Sequence, residues 1–105
     1  MKGIKVYKTL SGKEPYLDWY LGLDNSQKIS ISKRMQRLKI NNYGDYKDLS
    51  EGLKELRFKN GLRIYFIETE KIIILLLNGG DKKRQSNDIN NARTYFEEYK
   101  ERINQ

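Results

Sequence analysis

A small α+β domain is what this amino-acid sequence predicts: element order βααβββα, a mostly antiparallel sheet, and helices packed on one face of it. Three observations lead there. Residues Lys54 to Leu77 read as strands interrupted twice by turn chemistry. Two helical stretches precede them and a longer one follows, each with apolar residues three and four apart. A chain of 105 residues supports one modest core and not two, so a single domain, 1–105, is expected.

Gly3 to Leu10 set Ile4, Val6 and Leu10 on one side and Lys5, Tyr7 and Thr9 on the other, the period of a half-buried strand. Ser11-Gly12-Lys13-Glu14-Pro15 is a turn that places proline first in a helix, where its missing N–H costs nothing. That helix is expected to reach Leu21, to bury Leu17, Tyr20 and Leu21, and to cover Trp19 in part. Asp24 or Ser26 can cap a second helix, whose Ile31, Met35 and Leu38 share one face. Its other face carries Lys28, Lys33, Arg34, Arg37 and Lys39, which suits either a nucleic-acid footprint or a simply solvated surface. Asn41 to Asp45, rich in residues that tolerate positive φ, reads as a loop.

In the strand region Leu56 and Phe58 face one way, Glu55 and Arg57 the other, before a hairpin turn at Lys59-Asn60-Gly61. Leu62, Ile64 and Phe66 alternate with Arg63, Tyr65 and Ile67. A second turn, Glu68 to Lys71, leads to Ile72–Leu77, apolar on both faces and so expected as the central strand. Asn78 to Gln85 reads as a basic loop. The last helix is expected from Ser86 or Asn87, with Ile89, Ala92, Phe96, Tyr99 and Ile103 covering the sheet's apolar face. The opposite face, with Glu55, Arg57, Arg63 and Tyr65, is expected to stay open.

The 21 Lys and Arg against 14 Asp and Glu leave a net charge of +7, which favours nucleic acid or an acidic protein as partner. With no cysteine there is neither a disulfide framework nor a thiolate metal site. With no histidine, zinc-hydrolase and Ser-His mechanisms are excluded. Acid–base chemistry must then use Lys, Tyr, Asp or Glu with shifted pKa values, or rely on positive charge to stabilise a transition state. No metal or cofactor is expected. The run Ile72–Leu77 is too short to span a bilayer and the amino terminus lacks a signal core, so the protein is expected in the cytoplasm without membrane association.

One constellation stands out. Arg57 and Arg63 on neighbouring strands, Tyr65 beside them and Lys82, Lys83 and Arg84 in the following loop form a cationic cleft that can hold a phosphodiester and stabilise its pentacoordinate transition state. Tyr65 can stack on a base or move a proton. The competing reading is a cross-strand ion ladder of Arg57, Glu55 and Arg63 on a solvated face. Gly79-Gly80 suits a phosphate nest or merely a turn, and the full P-loop pattern is missing. Tyr16, Tyr20, Tyr95 and Tyr99 belong to helix packing, which leaves Tyr43, Tyr46 and Tyr65 as the tyrosines placed for a ligand.

The blocks Gly44-Asp45-Tyr46-Lys47, Gly52-Leu53-Lys54-Glu55-Leu56-Arg57, Gly61-Leu62-Arg63-Ile64-Tyr65-Phe66 and Leu75-Leu76-Leu77-Asn78-Gly79-Gly80-Asp81-Lys82, with Gln85, Asp88-Ile89 and Ala92, resemble the addiction-module killer proteins. These are RelE/HigB/ParE-type toxins of type II toxin–antitoxin systems. The resemblance implies a compact RelE-like fold, a cognate helix-turn-helix antitoxin that carries any contact with operator DNA, and activity as a ribosome-dependent mRNA endonuclease. In such enzymes the ribose 2′-hydroxyl attacks the adjacent phosphate without a metal. By the same resemblance Arg57 and Arg63 clamp the phosphate, Lys82 neutralises the phosphate or the leaving 5′-oxygen, and Tyr65 matches the aromatic after the strand arginine. Lys47 and Lys54 match RNA-orienting positions, with Lys83 and Arg84 beside them in the basic loop. The chain departs from the family at Asn41 and at Lys59-Asn60-Gly61. The same fold also serves ParE-like gyrase inhibitors without nuclease activity, and degenerate members that only join antitoxin and operator complexes.

Overall fold

A computed structural model describes residues 1–70 and 72–104. Its elements are β1 (Gly3–Val6), α1 (Pro15–Leu21), α2 (Asn25–Lys39), β2 (Tyr46–Asp48), β3 (Lys54–Arg57), β4 (Leu62–Thr69), β5 (Ile73–Asp81), a 3-10 turn (Lys82–Arg84) and α3 (Gln85–Ile103). They form one five-stranded sheet in the order β1-β5-β4-β3-β2. Among the described residues only the β1–β5 pair is parallel. The α+β class and the mostly antiparallel sheet are those expected. The expected order lacks one strand, however, because β2 is three exposed residues with no apolar alternation to betray it. The central strand is β4, with β5 beside it.

Local chemistry explains the helix starts. Pro15 opens α1. Asp24 caps α2 in a reciprocal box with Gln27, each side chain bonding the other residue's backbone N–H at 2.8 and 2.9 Å. Within α1 the buried residue is Tyr16, whereas Leu21 points to solvent. In the first strand region Tyr7 is buried and Leu10 exposed, because β1 ends at Val6 and the alternation expected to Leu10 lapses there. Ile103 is likewise exposed at the last turn of α3.

The largest departure concerns the layers. The helices do not share one face. α1 and α2 cover Leu56, Leu62, Ile64, Phe66, Ile74 and Leu76, while α3 covers Leu53, Tyr65, Ile67, Leu75 and Leu77 on the opposite side. The face expected to stay open is polar where Lys47, Glu55, Arg57, Arg63 and Asn78 lie. Its other half is apolar and needs a cover, which α3 supplies through Ile89, Ala92 and Phe96.

The expected basic loop from Asn78 is also partly strand, since β5 runs to Asp81. A bulge makes this possible: Tyr65 pairs with Asn78 but Phe66 with Leu76, so Leu77 is an extra residue. Beyond it the alternation is reset. Asn78 turns toward α3, where its amide donates to the Asp88 carbonyl at 3.1 Å. A Cβ added to Gly79 would stand 2.3 Å from the Trp19 ring, and one added to Gly80 1.9 Å from Asp88 Oδ2. The glycine pair is therefore neither a nest nor a turn: it gives α1 and α3 their close approach to the two faces of one strand. The expected turn at Glu68 to Lys71 overlaps the end of β4 and the positive-φ residue Glu70, and Lys71 lies outside the described residues.

Candidate functional site

Two cross-strand rows build the site on the α3 side of the sheet. In the first, Lys47 of β2 stands opposite Glu55 of β3, which stands opposite Tyr65 of β4, itself opposite Asn78 of β5. In the second, Arg57 stands opposite Arg63, and Arg63 opposite Gly80. Residues directly opposite in antiparallel pairs project from the same face, so each row is one line of side chains. The β3–β4 hairpin closes at Gly61, whose positive φ of 89° only glycine adopts freely. The Gly61 carbonyl accepts from the Lys82 backbone N–H at 3.0 Å. That bond brings the 3-10 turn to the hairpin tip. Asp81 caps the turn by accepting from the N–H groups of Lys83 and Arg84 at 2.9 and 3.2 Å, and the side chains of Lys82, Lys83 and Arg84 remain exposed.

The ion ladder does not form. Glu55 is wholly buried and bonds within its own strand, accepting from Arg57 Nε at 2.9 Å, while its second oxygen accepts from Gln85 Nε2 of α3 at 2.7 Å. Burial pushes its carboxyl up, but the bonds from Gln85 and Arg57 outweigh this and hold it below the usual carboxylate range. Arg63 has no ion pair among the described residues. Its Nη1 donates to the Leu62 carbonyl at 3.2 Å and its Nε has no partner.

Tyr65 is fully buried beneath α3, so it cannot stack on a base arriving from solvent. Burial first, then the neighbouring Glu55 charge, push its hydroxyl well above the usual phenol range. It is a neutral phenol at physiological pH, lying against Glu55 without a well-formed hydrogen bond. The Tyr65→Phe variant is accordingly expected to keep its stability within about 1 kcal/mol, since no made bond is lost, and to keep whatever activity the site has. Thermal melts and the activity assay below check both.

Lys47 joins the site face, exposed at its edge. Lys54 does not. It pairs with Phe66, so it projects to the opposite face, where it lines a groove with Tyr43, Tyr46 and Glu68. In that groove Tyr43 is held by Lys2 and by Glu68, the latter at 2.5 Å, and so serves the architecture. Arg34 is also committed: it donates to the carbonyls of Tyr43 and Asp45 at 2.9 and 2.5 Å and lies over the Phe58 ring. A groove of about 430 Å³ between α2 and the hairpin tip is lined by Lys33, Arg34, Arg37 and Lys59, but on the other side of the sheet from Arg57 and Arg63.

Sequence reasoning assigned Glu55 only to a surface ladder and gave Gln85 and Asp88 no role. The missing signal was the position of α3, which turns an apparently solvated Glu55 into a buried one. Among the described residues, five buried polar atoms without partners, Arg63 Nε, Tyr65 Oη, Asn78 Oδ1, Asp88 Oδ2 and Arg102 Nε, belong to these two rows or to the helix that covers them.

Among the described residues no helix is long and apolar enough to cross a membrane, and no three carboxylates gather to hold a metal ion. No family model matches the chain. It is 36% identical over 83 residues to a protein of Haemophilus influenzae that carries the description uncharacterized protein, the aligned part covering 76% of this chain and 84% of that one. At that identity and coverage, the chain belongs to the same family as this Haemophilus influenzae protein.

Proposed function

We propose that the protein is the toxin of a type II toxin–antitoxin pair, a cytoplasmic endoribonuclease that cleaves mRNA on the ribosome and is neutralised by a cognate antitoxin. The observation that carries this reading is the register pairing of Arg57 with Arg63. Like charges placed directly opposite on a sheet are destabilising, and a bound anion between them converts that cost into binding. A phosphodiester, with two non-bridging oxygens, is an anion that two guanidinium forks can share. The sequence blocks that resemble the addiction-module killer proteins support the same reading.

In the proposed reaction the ribose 2′-hydroxyl gives its proton to solvent water and attacks the adjacent phosphorus, and water returns a proton to the 5′-oxygen as it leaves. The P–O5′ bond breaks, leaving a 2′,3′-cyclic phosphate and a 5′-hydroxyl. Arg57 and Arg63 hold the non-bridging oxygens and stabilise their growing charge. Lys82, fixed at the hairpin tip, neutralises the departing 5′-oxygen. Lys47, Lys83 and Arg84 guide the RNA, and Lys54 has no part. Tyr65, buried and neutral, supports the sheet rather than the chemistry. An antitoxin covering these arginines needs acidic residues there, because burying them unpaired would be costly.

Translation of a defined message in a cell-free system, with fragment 5′ ends mapped, tests the reading. Added protein is expected to cut the message only while ribosomes occupy it. An intact message combined with loss of gyrase supercoiling would replace the nuclease by a gyrase inhibitor. Unaffected growth on expression without an antitoxin would reduce the protein to a binding component.

A further inference from the structure

We propose that Glu55 is the positioning residue of this site, a buried carboxylate that orients the Arg57 guanidinium and fastens the start of α3 to the same point. The inference rests on the reading of Arg57 as a phosphate ligand.

Its basis is the use of each Glu55 oxygen. One accepts from Arg57 Nε and the other from Gln85 Nε2. An arginine held at Nε keeps both Nη groups for a second partner, and those of Arg57 make no other hydrogen bond among the described residues. The guanidinium is planar, so fixing Nε fixes the plane of the remaining fork. Arg57 is one-third exposed at its side chain while Glu55 is fully buried, so the fork faces outward from a rigid base. Gln85 is the first residue of α3 and directly follows the 3-10 turn that carries Lys82, Lys83 and Arg84. One carboxylate thereby ties the strand cation to the turn cations.

The alternative chemistry for such a group is proton abstraction from the 2′-hydroxyl. Its geometry opposes that. Both oxygens are occupied and the residue has no exposed surface, so a substrate hydroxyl has no approach. A carboxylate inside an anion site also weakens anion binding by its own charge, so its contribution must lie in orientation.

The experiment compares the wild type with Glu55→Gln and Gln85→Ala. In ¹⁵N NMR the Arg57 Nε–H signal of the wild type is expected to exchange slowly with solvent, and at least about 10-fold faster in Glu55→Gln, where the charge-assisted bond is gone. Single-turnover cleavage at saturating message is expected to fall about 100-fold, the scale of an ångström-level misplacement, with RNA affinity unchanged or tighter. Should Glu55→Gln not fold, Gln85→Ala, altered at a half-buried residue, is expected to speed Arg57 Nε–H exchange and slow cleavage several-fold. Unchanged Arg57 exchange in the folded variants overturns the proposal, as does abolished cleavage with an unchanged Arg57 signal, which would mark Glu55 as the base. If the wild type cleaves nothing, the nuclease reading fails while the NMR comparison still decides whether Glu55 holds Arg57.

Discussion

Replacing Gly79 by alanine is expected to lower the stability of the domain by about 1–3 kcal/mol, the usual cost of forcing a methyl group into a packed interior. The added Cβ would meet three atoms of the Trp19 ring at 2.3–2.6 Å, well inside any tolerated contact. Trp19 cannot simply swing away, because its ring packs against Tyr16 at 5.8 Å between centroids and α1 is only seven residues long. The helix must shift from the sheet, uncovering part of the core under Tyr16. Trp19 is the single tryptophan of the chain, so its fluorescence reports the site directly while a urea titration measures the loss. Gly3→Ala serves as control, since its Cβ would approach only the Ile72 carbonyl, at 3.9 Å. Equal midpoints for Gly79→Ala and the wild type would show that the strand and α1 are not in the contact described. Partial recovery in a Gly79→Ala, Trp19→Leu double variant would identify the clash as the cause.

The Arg63→Ala variant is expected to lose about 100- to 1,000-fold in single-turnover cleavage, the scale set by removal of one preorganised charge-stabilising donor. Its fold should survive. Arg63 has no carboxylate partner among the described residues, and its one side-chain bond goes to the carbonyl of the preceding residue. Removing it also relieves the opposition with Arg57, so the change in stability is expected within about 1 kcal/mol and of either sign. The pair of readouts separates function from architecture. Cleavage at the wild-type rate would remove Arg63 from the mechanism, and a collapse of the melting temperature would give it a structural role that its hydrogen bonds do not suggest. Arg57→Ala is a less clean test, because it also removes a partner from buried Glu55.

Much of this molecule was legible before any coordinates. Pro15 and Asp24 start their helices by local chemistry, Lys59-Asn60-Gly61 makes its hairpin by backbone preference, and the two-faced apolar run of β5 announces an interior strand. The register of Arg57 against Arg63 follows from the hairpin alone, so the heart of the candidate site was readable too. These features depend on neighbours in sequence.

What only the tertiary structure decided depends on which element covers which surface. Alternation shows that Glu55, Arg57, Arg63 and Tyr65 share a face, but not that α3 lies over half of it. That placement buries Glu55 and Tyr65, rules out the competing ladder, and leaves Arg57 and Arg63 at the margin. The single extra residue Leu77 in β5 is equally silent in the sequence, yet it re-aims Asn78, Gly79 and Gly80. The physical reason is common to both cases: the sequence records the chemistry of each face, while burial, which sets the charge state and reach of Glu55 and Tyr65, is a property of the partner that packs on it.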